Sequence, residues 1–429
     1  MDKILKQYEQ LDVKNKIKEN IEKNRKNNFK LEILGLDKDK SYKITIKQTS
    51  HAFKFGCNGF LLGQFENEEK NKIYKEKFAK LFNIATLPFY WNSLEPERGA
   101  CRFDVDSPKI YRRPAIDLLI EFCKENGIEP KLHCLNYEPF IPEWAQQLSF
   151  DEYKKALEKR FEIIAKRYAE VIPDIEVMNE IFQNDKPFET MLRKDVEWSF
   201  RTAKKYFKNN KLIINEGQNV YNDALNDNWQ YYNLIKSNLD KGVPIEGVGF
   251  QAHMMWCDKK CASPYAFWKF FEKYEQLGLP LSITEVTLPS LIDGVVDANI
   301  QAELLKNLYS LWFSTKKIDT IIYWDFADGY SFGSSLGDFN TMNNARRGGL
   351  LNFDCSEKLS YKVLDDLINK QWKTNFTTQI NGDGVIEFNG FYGNYDIVIE
   401  TENNIIKEKI DLNKNSNNTV KKVIVSSKK

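Results

Sequence analysis

The chain has 429 residues, and its 62 Lys and Arg against 61 Asp and Glu leave a formal charge of only +1. This balance excludes the strongly basic surface typical of nucleic-acid-binding proteins and suits an uncharged partner. The sequence has no run of about 18 apolar residues, so we expect no membrane-spanning helix. Its length allows one large domain with a small second module.

The cysteines and the N-terminus bear on the cellular compartment. Seven cysteines are scattered along the chain, and only Cys257 and Cys261 are closely spaced, without a second pair to complete a zinc site. We therefore predict reduced thiols, no metal centre and no other cofactor. The first residues lack the apolar core and cleavage site of a signal peptide. This predicts a cytoplasmic protein if Met1 is the native start, and a secreted one if a signal has been trimmed.

The N-terminal segment combines a helical pattern with strand patterns. Residues 3–26 place apolar side chains at helical spacing and predict an amphipathic helix docked on the main body. Two strand-like runs follow at residues 29–34 and 41–47, separated by the turn-like Asp37-Lys38-Asp39. We predict that these two runs form a β-hairpin.

From His51 onward, short apolar runs alternate with long helical patterns. The runs predict strands near residues 53–60, 84–87, 129–135, 174–178, 211–215, 245–250, 281–284 and 320–324. Helical patterns include residues 151–170, 189–207, 264–277 and 299–316, and residues 357–372 close the series. Eight strands, each followed by a helix, predict an α/β fold, the TIM (β/α)8 barrel.

After Trp372 the apolar pattern returns to period two. Five strand-like runs occur, separated by Asn- and Gly-rich turns, at residues 374–380, 384–388, 395–400, 405–412 and 420–425. We expect both ends of the chain to meet in one small accessory β-module. The predicted organisation is an N-terminal helix and hairpin (1–50), the barrel (51–372) and a β-rich C-terminal module (373–429).

Two glutamates stand at the ends of predicted strands. Glu180 follows the fourth strand and Glu285 the seventh. A carboxylate at the end of a buried strand is costly unless it is paired or used, and in such a barrel the chemistry gathers where strands end. We therefore expect the two carboxylates to face each other across one pocket, the arrangement of a glycosidase.

Seven segments occur in one order along the chain: residues 91–99, 132–135 with 141–144, 178–180, 247–253, 283–285, 323–324 and 349–354. Together they resemble glycoside hydrolase family 10, the family of retaining endo-β-1,4-xylanases, from about His51 to Trp372. The resemblance implies that Glu180 is the general acid/base and Glu285 the nucleophile. Asn215-Glu216 repeats the dipeptide Asn179-Glu180 and matches the family's Asn-Asp segment on the pocket wall. Glu216 is thus a secondary catalytic candidate.

The resemblance also implies a set of substrate-binding residues. Asn179 would donate to the 2-hydroxyl of the sugar, and Trp324 would form an apolar floor beneath it. His253, two residues after Gln251 on the sixth strand, would hydrogen-bond Glu285 and hold it ionised. His133 ends the third strand and would contact a sugar hydroxyl.

Several positions depart from the family pattern. Where the family carries Glu, Asn and Lys for the glycone sugars, this chain has Thr86, Leu87 and Tyr90. The family's Trp-His after the third strand is Tyr137-Glu138, and the tryptophan after the eighth strand is Phe332. Buried polar groups left unpaired are a strong basis for rejecting a substrate. The sequence thus predicts an altered glycone site that includes Tyr90 and Tyr137, and it disfavours xylan.

The preferred interpretation is a retaining β-glycosidase acting on a β-glycan or a β-linked oligosaccharide. A carbohydrate-binding protein that has lost turnover is the first alternative, favoured by the lost glycone contacts and opposed by the retained glutamates. A metal-dependent barrel enzyme with Glu180, His253 and Glu285 as ligands is the second, and no metal-ligand spacing supports it. The expected partner is carbohydrate, with no signal for nucleic acid, membrane or a particular oligomeric state.

Overall fold

Eight parallel strands close into a barrel, in which each strand pairs with its neighbour in sequence and the last pairs with the first. The computed structural model describes residues 2–182, 195–254, 259–292, 294–341, 343–401, 405–414 and 420–424. Barrel strands one to eight are Lys54–Asn58, Ile84–Pro88, Glu129–His133, Asp174–Asn179, Lys211–Glu216, Gly247–His253, Leu281–Thr287 and Ile318–Tyr323. The predicted TIM barrel is therefore confirmed, with each strand close to its predicted position.

Helices surround the barrel and begin and end where local chemistry favours it. The longer ones are Glu68–Leu81, Ile116–Asn126, Phe150–Tyr168, Val196–Tyr206, Gln230–Asp240, Pro264–Glu275, Ala298–Ser314 and Leu359–Asp366. Short helices are Trp91–Leu94, Glu143–Gln146 and Asp223–Asn226. A capping box of Ser149 and Glu152 starts one of the long helices, because each side chain satisfies a backbone N–H of the first turn. Residues 189–194 of the predicted helix 189–207 lie outside the described residues.

Two further sheets, built from both ends of the chain, form the accessory module. In one, Lys26–Leu34 pairs with Gly384–Phe391 and Val420–Ile424. In the other, the order is Asn375–Asn381, Ser41–His51, Gly393–Glu400 and Ile405–Leu412. Alternate residues of both sheets, such as Leu31, Ile44 and Ile397, share one buried apolar cluster. The predicted module formed by both termini is thus confirmed as two sheets packed face to face.

The predicted hairpin between residues 29–34 and 41–47 is wrong. These strands lie in different sheets, and each pairs with strands from the C-terminal segment. Leu36, in the connection, donates its backbone N–H to Asp383 at 2.7 Å, so the turn is fixed by the other end of the chain. Period two identifies the buried face of a strand, whereas the pairing partner depends on contacts distant in sequence.

The predicted single N-terminal helix is also corrected, because it consists of two helices, Asp2–Tyr8 and Leu11–Arg25. Tyr8 is buried and donates its hydroxyl to the Ala262 carbonyl at 2.7 Å, whereas Leu11 is 73% exposed. The buried guanidinium of Arg25 donates to backbone carbonyls at the base of the barrel. The break between the helices thus lets both dock on the barrel.

Two further expectations concern the membrane and the cysteines. Within the described part of the chain, no helix combines the length and apolar character required to cross a bilayer. Free thiols are found at Cys57, Cys101, Cys123, Cys134 and Cys355. Cys257 of the spaced pair lies outside the described residues.

Candidate active site

Glu180 directly follows barrel strand four, and its backbone has a positive φ of 53°. Such a conformation is costly for a residue with a Cβ and persists where the surroundings enforce it. Its backbone N–H donates to the Asn215 carbonyl at 3.1 Å. The Glu216 carboxylate accepts from the N–H groups of Ile181 at 2.6 Å and Phe182 at 3.2 Å. The end of strand five thus holds the backbone that presents Glu180.

One amide group joins the two glutamates that the sequence singled out. Gln251 Nε2 donates to Glu180 Oε1 at 2.8 Å and to Glu285 Oε1 at 3.0 Å. The sum of these two distances is the upper limit for the separation of Glu180 Oε1 and Glu285 Oε1. Retaining glycosidases place their carboxyl groups about 5–5.5 Å apart, and inverting ones about 6.5–9.5 Å apart. The spacing here suits retention.

The environment of Glu180 favours its protonated form. Burial raises the pKa of Glu180, and the nearby charge of Glu285 raises it further. Hydrogen bonds from the Tyr137 hydroxyl at 2.5 Å and from Gln251 act in the opposite direction without reversing the shift. Glu180 therefore keeps its proton to higher pH than an exposed glutamate does.

Glu285 lies on barrel strand seven, is 5% exposed and is surrounded by hydrogen-bond donors. In addition to Gln251, Asn215 Nδ2 lies 3.3 Å from Oε1, and His253 Nε2 lies 3.3 Å from Oε2. Thr287 donates its hydroxyl to the Trp324 carbonyl, so at 2.8 Å its oxygen accepts from His253 Nδ1. His253 therefore bridges Thr287 and Glu285, with one ring nitrogen directed at each.

His133 occupies a supporting position. Its Nδ1 lies 3.1 Å from Glu176 Oε2, and its Nε2 lies 2.9 Å from the Tyr90 hydroxyl. Both ring nitrogens are thus engaged by the protein, and the side chain is almost fully buried. The contact with Nε2 orients the Tyr90 hydroxyl, and the predicted contact of His133 with a sugar hydroxyl stays a prediction.

A buried ion pair lies behind His133. Lys131 and Glu176 are both almost completely inaccessible and hydrogen-bonded to each other. Burial acts to raise the pKa of Glu176, but the charges of Lys131 and His133 outweigh it and hold this pKa at about 2.

The same region contains the donor group that comes nearest to a metal site. Within the described ranges, donor atoms of His133, Glu176 and Glu285 lie within 4.8 Å of one another. This set differs from the predicted metal alternative of Glu180, His253 and Glu285. Because the Lys131 ammonium already neutralises Glu176, these residues fit an ion-pair network better than a cation site.

Glu180 and Glu285 line a pocket with an empty volume of about 860 Å³. Aromatic rings form much of its lining, namely Phe60, Tyr90, Tyr137, Phe140, Trp324 and Phe332. Of the other predicted residues, Asn179, His133 and His253 also line it, whereas Gln251 and Asn215 contact the carboxylates. The Asn179 Oδ1 accepts from Asn215 at 2.8 Å, which orients its amide.

The structure adds residues that the sequence analysis missed. Arg112 and Arg113, in the segment after barrel strand two, both line the pocket. Arg112 Nη2 donates to Asp325 Oδ1 at 2.8 Å, and the Arg113 guanidinium lies 4.2 Å from the Tyr90 ring centre. The only sequence signal was an Arg-Arg dipeptide in a segment without helical or strand periodicity. Thr86, by contrast, is buried outside the pocket lining.

Comparisons with known proteins identify similar sequences and folds. The sequence model of Glycosyl hydrolase family 10 matches residues 46–366. Endo-1,4-beta-xylanase B of Thermotoga neapolitana is 27% identical over 274 residues, covering 60% of this chain and 74% of the relative. Anti-sigma-I factor RsgI6 of Acetivibrio thermocellus is 25% identical over 359 residues, covering 82% of this chain but only 41% of the relative.

A solved structure supports the fold. Native xylanase 10B from Thermotoga maritima superposes with a TM-score of 0.61 at 23% identity, covering 75% of this chain and 96% of that one. The family match spans most of the chain and includes the whole barrel. This chain therefore belongs to glycosyl hydrolase family 10.

Proposed function

We propose that the protein is a retaining β-glycosidase in which Glu180 is the general acid/base and Glu285 the nucleophile. The observation that carries this proposal is the Gln251 amide bonded to both carboxylates, at 2.8 and 3.0 Å. It brings the two groups close enough for double displacement. Their surroundings differ in the required sense, because Glu180 favours a proton and Glu285 is surrounded by donors.

The reaction proceeds in two displacements. In the first, a Glu285 oxygen attacks the anomeric carbon while Glu180 gives its proton to the departing glycosidic oxygen. This forms a covalent glycosyl ester and releases the leaving sugar. In the second, Glu180 takes a proton from water, whose oxygen attacks the anomeric carbon and frees Glu285. The product keeps the β-configuration of the substrate.

The substrate is a β-glycan or a β-linked oligosaccharide. The xylanase names of the relatives support a xylan-type chain, but the pocket wall differs from the family pattern. Thr86 and Leu87 are buried outside the lining, and the Tyr90 hydroxyl is engaged by His133. These three positions thus offer a sugar fewer free polar groups than the family's Glu, Asn and Lys.

The test is hydrolysis of a panel of β-glycans and aryl β-glycosides, xylan included, with NMR of the first anomer released. We expect a β-product, and we expect Glu285→Ala to abolish turnover. Azide added to Glu285→Ala with an aryl glycoside should yield the α-glycosyl azide, because the small anion enters the space of the lost carboxylate.

The matched control is Glu303→Ala, an exposed glutamate on the helix Ala298–Ser314, which should retain full activity. An inverted first product, or full activity in Glu285→Ala, would contradict the proposal. Binding of a panel member without any turnover would instead favour the carbohydrate-binding alternative.

A further inference from the structure

The proton donor fixes the direction in which a substrate lies in the pocket, an argument that rests on the proposed function. Glu180 must lie against the glycosidic oxygen, so the leaving sugar departs on the side of barrel strand four. In the closed order of strands, strand eight lies across the barrel from strand four, and strand one lies next to strand eight, followed by strand two. The glycone sugars therefore face the wall formed above strands eight, one and two.

Two loops meet over this wall. Phe140, in the turn after barrel strand three, stacks on Tyr90 with ring centres 4.2 Å apart. The same ring lies 5.5 Å from Phe332, which follows barrel strand eight. The contact between Phe140 and Phe332 thus spans the ends of strands one and two. A groove that accepted a long chain would have to run through this contact.

A buried arginine fills the space behind the rings. The Arg113 guanidinium lies 4.2 Å from the ring centre of Tyr90, 5.5 Å from that of Phe140 and 5.8 Å from that of Phe332. Only 7% of Arg113 is exposed, and its Nη1 donates to the Arg112 carbonyl at 2.8 Å. Arg112 is itself paired with Asp325, which anchors the segment. We call Tyr90, Arg113, Phe140 and Phe332 the glycone wall.

We propose that the glycone wall closes the pocket behind a single sugar, so that the enzyme removes terminal residues from the non-reducing end of its substrate. A second glycone sugar would have to separate Phe140 from Phe332 and displace the Arg113 guanidinium. Separating these rings and moving a cation held over them forfeits favourable contacts. The pocket thus accepts one glycone unit.

The experiment compares aryl glycosides that differ only in glycone length. 4-Nitrophenyl β-xyloside is paired with its β-xylobioside, and the β-glucoside with its β-cellobioside. We expect kcat/KM for nitrophenol release to be at least about tenfold higher for the monoside of the accepted sugar. The double variant Phe140→Ala/Phe332→Ala should raise kcat/KM for the bioside relative to kcat/KM for the monoside. Phe339→Ala removes a phenyl group from the same loop as Phe332 but outside the pocket lining, and should leave the ratio unchanged.

A bioside that is preferred, or cleaved equally well, overturns the inference. Binding to Glu285→Ala, measured by calorimetry, gives a readout that does not depend on turnover. Tighter binding of the monoside supports the closed wall even if the wild type cleaves nothing, in which case only the proposed function fails. If Glu285→Ala binds the bioside at least as tightly as the monoside, the inference of a closed wall is wrong.

Discussion

The carboxylate of Glu216 accepts a hydrogen bond of 2.6 Å from the backbone N–H of Ile181, the residue directly after Glu180. Sequence comparison within the chain made Glu216 a secondary catalytic candidate. Its carboxylate instead satisfies backbone donors of the segment that presents Glu180 in a left-handed conformation. We therefore interpret Glu216 as a positioning residue.

Replacing Glu216 should impair catalysis more than binding. Glu216→Ala frees the N–H groups of Ile181 and Phe182, and a carboxyl group misplaced by a fraction of an ångström is a poor proton donor. We expect kcat to fall about tenfold to a hundredfold with little change in KM. Glu216→Gln keeps an acceptor oxygen and should restore much of the loss. Steady-state kinetics of both variants check this, and equal activity of Glu216→Ala and the wild type would refute it.

Glu216 should also make stability depend on pH. Burial raises the pKa of Glu216 from 4.5 to about 7, despite the opposing backbone hydrogen bonds. Since the folded state binds the proton more tightly, this contribution to stability is complete below about pH 4.5 and is lost as the pH rises through about 7. The loss is about 3 kcal/mol. Denaturant unfolding across this range should show a steeper decline for the wild type than for Glu216→Gln, whereas parallel curves would contradict the assignment.

The pH dependence of activity should respond to Tyr137. Its hydroxyl donates to Glu180 Oε2 at 2.5 Å, which favours the ionised carboxylate and lowers its pKa. In Tyr137→Phe that bond is absent, so Glu180 should keep its proton to higher pH. We expect the alkaline limb of kcat/KM to move to higher pH. A limb that stays in place or moves to lower pH would argue against Glu180 as the acid.

The loss of activity in Glu180→Ala should depend on the leaving group of the substrate. A natural sugar leaving group needs its oxygen protonated, whereas a nitrophenolate leaves without much help. We therefore expect a loss of about 10²–10⁴-fold on natural linkages and a much smaller one on activated aryl glycosides. The ratio of kcat/KM between the two substrate classes measures this difference. Equal losses would count against the acid/base role.

The buried Lys131–Glu176 pair should matter for stability. Lys131→Met leaves the Glu176 carboxylate buried without its cation, which should lower the free energy of unfolding by about 3–5 kcal/mol at neutral pH. The cost should shrink as the pH falls below 4.5, where a protonated carboxyl is easier to bury. The control Lys159→Met, in an exposed pair with Glu162, should change stability by less than about 1 kcal/mol. Similar effects of the two substitutions would disprove the prediction.

The barrel could be predicted because its signals are local. Each parallel strand is buried on both faces and forms a short apolar run, and each helix keeps its own period. Glu180 and Glu285 stood out for the same reason, since a charged residue at the end of a buried run is visible in sequence alone. The motif order then indicated the family.

In the accessory module, the sequence pattern identifies the strands but not their pairing. Residues 29–34 and 41–47 were correctly predicted as strands but wrongly paired, because alternation specifies a face and leaves the partner open. Likewise, Leu11 matched the helical period but became exposed when the helix divided.

The sequence by itself determined the strands, the helices and the two carboxylates, because hydrophobic period and burial cost act over a few neighbouring residues. Only the tertiary structure decided that Gln251 joins Glu180 to Glu285, that Glu216 supports a backbone, and that Arg113 lies among the rings of the glycone wall. These side chains come from separate strands and loops. Their contacts arise only when the barrel closes and brings the strand ends together.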